Sequence, residues 1–70
     1  MNETPLRSSV LAGFRYDPDR QQLWLRFQSG DLYLYPMVPV AVMQALLDAP
    51  SHGHFFNTAI RGCFSCRRLS

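Results

Sequence analysis

Arg26-Phe27-Gln28-Ser29-Gly30-Asp31-Leu32-Tyr33-Leu34-Tyr35 decides the fold of this 70-residue chain, because a turn dipeptide interrupts two runs of alternating side chains. We predict a β-hairpin whose two-residue loop is Ser29-Gly30. The length of the loop fixes the strand register, and the register decides which side chains share a face. The predicted cross-strand pairs are Phe27 with Leu32, Arg26 with Tyr33, Leu25 with Leu34 and Trp24 with Tyr35.

One face of this hairpin is aliphatic and aromatic and is therefore the predicted core face. The other face carries three aromatic side chains and one arginine, namely Trp24, Arg26, Tyr33 and Tyr35. Aromatic rings interleaved with arginine on an open sheet stack bases and hold phosphates in several RNA-binding modules. The structural alternative is ordinary cross-strand packing, or a helix or tail that covers the rings.

A third strand is predicted before the hairpin, because apolar residues alternate from Val10 to Tyr16. The segment Asp17-Pro18-Asp19-Arg20 has turn chemistry, since proline fixes φ and aspartate closes Asx turns. With these four residues as the loop, the apolar side chains of all three strands fall on one face. Gly13 then lies opposite Trp24, and a large ring over a strand glycine restores a packing partner.

Two short helices are predicted after the sheet, where the apolar period becomes helical. The apolar stripe of the first helix is Val42, Met43, Leu46 and Leu47, and that of the second is Phe55, Phe56, Ala59 and Ile60. Pro39 stands in the first turn of the first helix, Ser51 caps the second, and Gly62 has the position of a left-handed residue that ends a helix. We therefore predict an α+β fold, a three-stranded antiparallel meander sheet followed by two short helices packed on one face. Residues 1–7 are predicted to be a flexible N-terminal arm, and residues 8–70 a single domain.

Length and composition exclude several classes of protein. A chain this short holds one domain, no apolar run approaches the roughly 18 residues of a membrane helix, and the N-terminus lacks the pattern of a signal peptide. We therefore expect a cytoplasmic protein with no membrane partner. The formal net charge is only +2, and every cation is arginine. Arginine stacks on planar groups and binds phosphate through a fork of N–H donors. A GC-rich coding sequence is an alternative explanation for the use of arginine in place of lysine.

Three motifs in this order resemble the KTSC domain, a small domain at the C-terminus of some lysyl-tRNA synthetases and in stand-alone bacterial proteins. They are Phe27-x-x-Gly30-x-x-Tyr33-x-Tyr35, Val38-Pro39 and Ser51-x-Gly53-x-Phe55-Phe56-Asn57-x-x-Ile60-Arg61. The resemblance spans Ser8 to Leu69. It implies a link to RNA, by analogy with the synthetases to which the domain is attached.

Two further clusters contain residue types that bind anions or metals. Ser51, Gly53 and Asn57 lie near a predicted helix start, where free N–H groups bind anions, although capping by Ser51 is the simpler explanation. Cys63-x-x-Cys66 has the spacing of a zinc or redox motif, but it follows a helix end instead of opening a helix after a strand. We predict no metal site. The sequence leaves open whether the cysteines are free thiols, a disulfide or metal ligands.

The leading hypothesis is a small non-catalytic domain that binds RNA, either tRNA-like or single-stranded. No set of acids, histidines and nucleophiles is arranged for catalysis in the predicted layout, and we expect no cofactor. The predicted stacking residues are Trp24, Tyr33 and Tyr35. The predicted phosphate-binding residues are Arg15, Arg26, Arg61, Arg67 and Arg68. The alternative is a protein-interaction module, with a homodimer as one form, that buries the same aromatic face.

Overall fold

Antiparallel strands and two short helices build the structure, a computed structural model that describes residues 3–70. Within these residues, five strands follow one another across one sheet in chain order. The strands are β1 (Thr4–Pro5), β2 (Leu11–Asp17), β3 (Gln22–Phe27), β4 (Leu32–Tyr35) and β5 (Arg67–Arg68). Helix α1 spans Val40–Asp48, and helix α2 spans His52–Phe55 and continues as a π-helical turn over Phe56–Ile60.

The predicted α+β class, with an antiparallel sheet and two helices, is confirmed, but the prediction of three strands is wrong. The additional strands, β1 and β5, are edge strands of 2 residues each. Strand β1 lies within residues 1–7, for which we predicted a flexible arm, and it pairs with β2 through Thr4 and Pro5. Two residues cannot display an alternating pattern, so the sequence carries no periodic signal for either edge strand.

The hairpin between β3 and β4 closes through a three-residue loop instead of the predicted two-residue loop. The N–H of Phe27 donates to the carbonyl of Asp31 at 2.9 Å, and the N–H of Gly30 donates to the carbonyl of Phe27 at 2.9 Å. Gly30 has a φ of 97°, whereas Ser29 is not among the residues with positive φ. A two-residue type I′ loop needs positive φ at both positions, which serine disfavours. A turn followed by a left-handed glycine is therefore the preferred closure.

The extra loop residue reverses the two faces of β4. The observed pairs are Leu23 with Tyr35, Trp24 with Leu34, Leu25 with Tyr33 and Arg26 with Leu32. A register slip of one residue moves every side chain of a strand to the opposite face. Tyr33 and Tyr35 therefore lie on the helix side of the sheet, and the prediction that they share a face with Trp24 and Arg26 is wrong.

The pairing of β2 with β3 is shifted by two residues from the predicted register, because the intervening turn starts one residue later. An even shift keeps a side chain on its predicted face but changes its partner. Gly13 pairs with Arg26, and Trp24 pairs with Arg15. The predicted pairing of Trp24 with Gly13 is therefore wrong.

A β-bulge changes the first part of β2. The register shifts between Leu11 and Gly13, which places Leu11 fully in the core and leaves Val10 37% exposed. A bulge inserts one unpaired residue and so inverts the alternation of side chains on one side of it. The predicted inward position of Val10 is wrong for this reason.

Gly13 is required because β1 lies directly against it. A Cβ atom at this position would lie 3.0 Å from the carbonyl oxygen of Thr4, and a backbone atom cannot rotate away. We expect Gly13→Ala to lower the free energy of unfolding in urea by about 1–3 kcal/mol, the usual effect of overpacking. In a variant that lacks residues 1–5, the same substitution should lose most of its effect. An equal effect in both backgrounds would contradict the contact with β1.

The core lies between the sheet and the helices. Helix α1 contributes Met43 and Leu46, and the π-helical turn contributes Phe56 and Ile60. These residues belong to the apolar stripes that the sequence predicts for the two helices. The buried cluster is Leu11, Leu23, Leu25, Tyr35, Val38, Met43, Leu46, Phe56 and Ile60.

The predicted boundaries of the second helix are confirmed. The hydroxyl oxygen of Ser51 accepts a hydrogen bond from the N–H of His54 at 3.2 Å, and Gly62 has a φ of 79°. None of the helices within residues 3–70 has the length and hydropathy needed to cross a membrane.

Candidate nucleic-acid interface

A groove of about 410 Å³ runs between the β3–β4 hairpin and the π-helical turn, and we call it the tyrosine groove. It exists because the three-residue loop turns both tyrosines of β4 toward the helices. The π-helical turn supplies the opposite wall. The residues that define the groove are Phe27, Tyr33, Tyr35, Phe56, Asn57 and Arg61.

The aromatic rings of the groove pack edge to face. The ring centroids of Phe27 and Tyr33 are 5.5 Å apart with an interplanar angle of 77°. Phe56 makes similar contacts with Phe27 at 5.3 Å and with Tyr35 at 6.1 Å. This arrangement suits the ring quadrupoles and holds each ring in one orientation. Tyr35 and Phe56 are each only 4% exposed, whereas Tyr33 and Phe27 are partly exposed, so a ligand can reach these two rings.

The hydroxyl of Tyr35 lies beside Cys66 at the base of the groove. Burial raises the pKa of Tyr35 because it disfavours the charged phenolate, and the neighbouring Cys66 and Tyr33 raise it further. Arg61 lowers the pKa but does not offset these effects. Tyr35 therefore stays protonated at neutral pH and keeps its O–H as a hydrogen-bond donor.

Two polar side chains, Asn57 and Arg61, stand exposed at the rim of the groove. The N–H of Arg61 donates to the carbonyl of Phe56 at 2.8 Å, which is the hydrogen bond that closes the π-helical turn. No carboxylate among residues 3–70 forms an ion pair with Arg61. Its guanidinium is therefore available to an anion, while its backbone position is fixed by the turn.

The one carboxylate that lines the groove is already paired. Asp31 binds Nη2 of Arg68 through Oδ1 at 3.1 Å, and its Oδ2 accepts from the hydroxyl of Ser29 at 3.1 Å. This pairing reduces the repulsion that Asp31 exerts on a phosphate. Arg68, which we predicted to bind phosphate, therefore serves first as the partner of Asp31.

The opposite side of the sheet, which we call the outer face, holds the other predicted residues. The Cζ of Arg15 lies 4.2 Å from the ring centroid of Trp24, a cation–π contact. Arg26 forms an ion pair with Glu3 at 2.9 Å. Arg67 pairs with Leu34 and so also lies on this face. These three arginines therefore lie away from the groove, and Arg15 and Arg26 also have a partner in the structure.

Apart from Arg68, which pairs with Asp31, the predicted RNA-binding residues form two groups in the structure. Tyr33, Tyr35 and Arg61 meet in the tyrosine groove, whereas Trp24, Arg15, Arg26 and Arg67 belong to the outer face. The sequence interpretation missed Phe27 and Phe56 as walls of the groove. The poor fit of Ser29 to positive φ was the signal that could have placed the tyrosines beside Phe27.

The predicted anion-binding residues Ser51, Gly53 and Asn57 do come together, in a second cavity of about 480 Å³. We call it the serine–histidine pocket, and its polar side chains include Arg7, Ser8, Ser51, His52, His54 and Asn57. Gly53 also has a structural role here, because a Cβ atom would lie 3.3 Å from the hydroxyl of Ser8. The glycine lets the segment before β2 approach α2 closely.

The two cysteines are exposed free thiols. Within residues 3–70, no group of three or more His, Cys, Asp or Glu side chains is placed to hold a metal ion. Cys66 lines the tyrosine groove.

Comparison with known protein families gives one match that covers most of the chain. The model of the KTSC domain family matches residues 7–64. The crystal structure of a KTSC domain protein from Yersinia pestis is 35% identical and superposes with a TM-score of 0.93. The match covers 99% of this chain and 97% of the Yersinia chain, so the two share one fold from end to end.

Curated relatives are of two kinds. A lysine–tRNA ligase from a Nostoc species is 42% identical over 62 residues, which is 89% of this chain but only 11% of the ligase. An uncharacterized protein from Stutzerimonas stutzeri is 46% identical over 61 residues, which is 87% of this chain and 86% of that protein. The same sequence unit therefore occurs as a small part of a ligase and as nearly the whole of a short protein.

Proposed function

This chain belongs to the KTSC domain family, and from that premise we propose that it is an RNA-binding accessory module that seats a nucleobase in the tyrosine groove. Its relatives include lysine–tRNA ligases, whose name links those proteins to tRNA. The relatives thus favour an RNA partner, and the groove offers side chains suited to one.

The observation that carries the proposal is the presence of an aromatic wall and an available guanidinium in one groove. Tyr33 offers a partly exposed ring, and stacking of a base on such a ring is worth about 1–3 kcal/mol. Arg61, which lacks an ion-pair partner in the described part of the chain, can bind a phosphate or stack on a base. Asn57 carries both an amide donor and a carbonyl acceptor for a base edge.

A protein-interaction module is the second candidate, and the outer face supports it. Trp24, Leu32 and Leu69 border a shallow cavity of about 200 Å³ on this face, and Leu69 is 44% exposed. The Nε of Arg15 is shielded from solvent without a hydrogen-bond partner among residues 3–70. A partner that packs on the stacked Arg15 and Trp24 side chains would use a surface separate from the tyrosine groove.

Replacement of Arg61 tests the proposed function. We expect Arg61→Ala to weaken binding of a short labelled single-stranded RNA by about tenfold at low salt, because a charge-assisted contact is lost. The slope of log affinity against log salt concentration should also become shallower by about 0.7, the value for one phosphate contact of a single strand. Fluorescence anisotropy measures both quantities.

Arg20→Ala is the matched control, because it removes the same charge from the β2–β3 turn, outside the groove. It should change the affinity by less than about twofold, since a remote exposed charge is screened by salt. Equal losses in the two variants would mean that only net charge matters, and would count against the groove as the binding site.

A further inference from the structure

The serine–histidine pocket adjoins the tyrosine groove. Val10 and Asn57 line both cavities, so the two share a wall and lie side by side along the surface. Asn57 belongs to the π-helical turn, and Val10 belongs to the segment just before β2. A chain-like ligand seated in the groove therefore reaches the pocket next.

The charge of the pocket favours an anion. Arg7 lines it, and no carboxylate does. Arg7 is exposed and takes part in neither of the ion pairs formed among residues 3–70. Its guanidinium can therefore bind a phosphate through two parallel N–H donors.

The serine hydroxyls of the pocket also favour an anion. The Ser8 oxygen accepts hydrogen bonds from the N–H of Val10 at 3.1 Å and of Leu11 at 3.2 Å. A hydroxyl group has two acceptor sites and one O–H donor. Both acceptor sites of Ser8 are filled, so its O–H is the part that can still bind a ligand. Ser51 likewise accepts from the N–H of His54 and keeps its own O–H. Donors that line one cavity suit a negatively charged oxygen.

From these observations we infer that the serine–histidine pocket binds a backbone phosphate adjacent to the base in the tyrosine groove. The protein then holds two consecutive units of single-stranded RNA, one by its base and the next by its phosphate. This inference deepens the proposed function and rests on it. Arg7 supplies the charge, and the hydroxyls of Ser8 and Ser51 orient the phosphate oxygens.

The test combines a protein variant with a change in the RNA. Binding of a set of short single-stranded RNAs, each with one uncharged methylphosphonate linkage, is measured by fluorescence anisotropy with the full chain. Arg7→Gln should weaken binding of the unmodified RNA by about threefold to tenfold and lower the salt slope by about 0.7. For one linkage position, Arg7→Gln should have no further effect, because the phosphate that it contacts is already neutral.

Arg20→Gln serves as the control of equal charge and should behave like the unchanged protein with every RNA. If RNA binds and depends on Arg61 but Arg7→Gln matches Arg20→Gln, the phosphate pocket is overturned and the tyrosine groove stands. The phosphate pocket would also be overturned if Arg7→Gln lowered the affinity equally for every methylphosphonate RNA. That result would show that Arg7 does not contact any one phosphate directly. Absence of RNA binding by the unchanged protein would overturn the proposed function itself.

Discussion

Phe56→Ala is expected to destabilise the folded protein strongly. Phe56 is 4% exposed, and its ring packs against those of Phe27 and Tyr35. Truncation of a buried phenylalanine usually lowers the free energy of unfolding by about 3–5 kcal/mol. The free energy of unfolding of a domain is roughly 0.05–0.15 kcal/mol per residue, so that of a chain this short is about 4–10 kcal/mol in total. The substitution therefore removes a large share of that stability.

Thermal unfolding followed by circular dichroism measures the effect of Phe56→Ala. The midpoint should fall by more than about 12 °C, since 1 kcal/mol shifts the midpoint of a domain this small by about 4–8 °C. Phe55→Ala is the matched control, because Phe55 is the same residue type one position earlier and is only partly buried against the core. Its effect should be less than half as large. Equal effects would contradict the placement of Phe56 at the centre of the ring cluster.

Tyr33→Ala is expected to reduce RNA affinity more than any other single change in the tyrosine groove. Stacking on one aromatic ring contributes about 1–3 kcal/mol, which corresponds to roughly 5-fold to 150-fold in affinity. Tyr33 is a partly exposed ring of the groove, while Tyr35 is buried. Anisotropy with a short labelled RNA measures the loss, and a circular dichroism melt shows whether the variant is folded.

Two control variants separate the groove from the outer face. Tyr33→Phe keeps the ring and should retain most of the affinity. Trp24→Ala removes the largest aromatic side chain of the outer face and should leave binding unchanged, because its ring stacks on Arg15 away from the groove. The reverse outcome, with binding lost in Trp24→Ala and retained in Tyr33→Ala, would place RNA on the outer face.

The helices could be predicted because their signals are local. The cap at Ser51 and the left-handed residue Gly62 depend on the backbone within a few residues of each. The apolar stripe that includes Phe56 and Ile60 has a period that only a helix satisfies. Neighbours distant in sequence do little to change such signals.

The sequence predicts less securely which side chains of the hairpin share a face, because a difference of one residue in the loop length decides it. A two-residue loop at Ser29-Gly30 and a three-residue loop that ends at Gly30 fit the same alternating strands. The two choices put Tyr33 on opposite sides of the sheet. The site prediction therefore combined residues that belong to two different surfaces.

Cavities formed by separate segments carry no signal in a single sequence. Arg7 and His54 are far apart along the chain, yet they line one pocket because Gly53 lets the segment before β2 approach α2. The edge strands show the same limit, since Thr4 pairs with β2 through tertiary contact alone. Such features depend on packing and not on local pattern.

The most direct test of RNA binding in the tyrosine groove is a two-dimensional NMR titration of the labelled protein with a mixed tRNA pool, at low and at physiological salt. The proposed function predicts shifts centred on Tyr33, Asn57 and Arg61 that weaken as salt rises. The indole signal of Trp24 should stay in place. Shifts confined to Trp24 and Arg15 would contradict binding in the groove and place RNA on the outer face. A spectrum unchanged by tRNA would contradict RNA binding altogether and favour a protein partner.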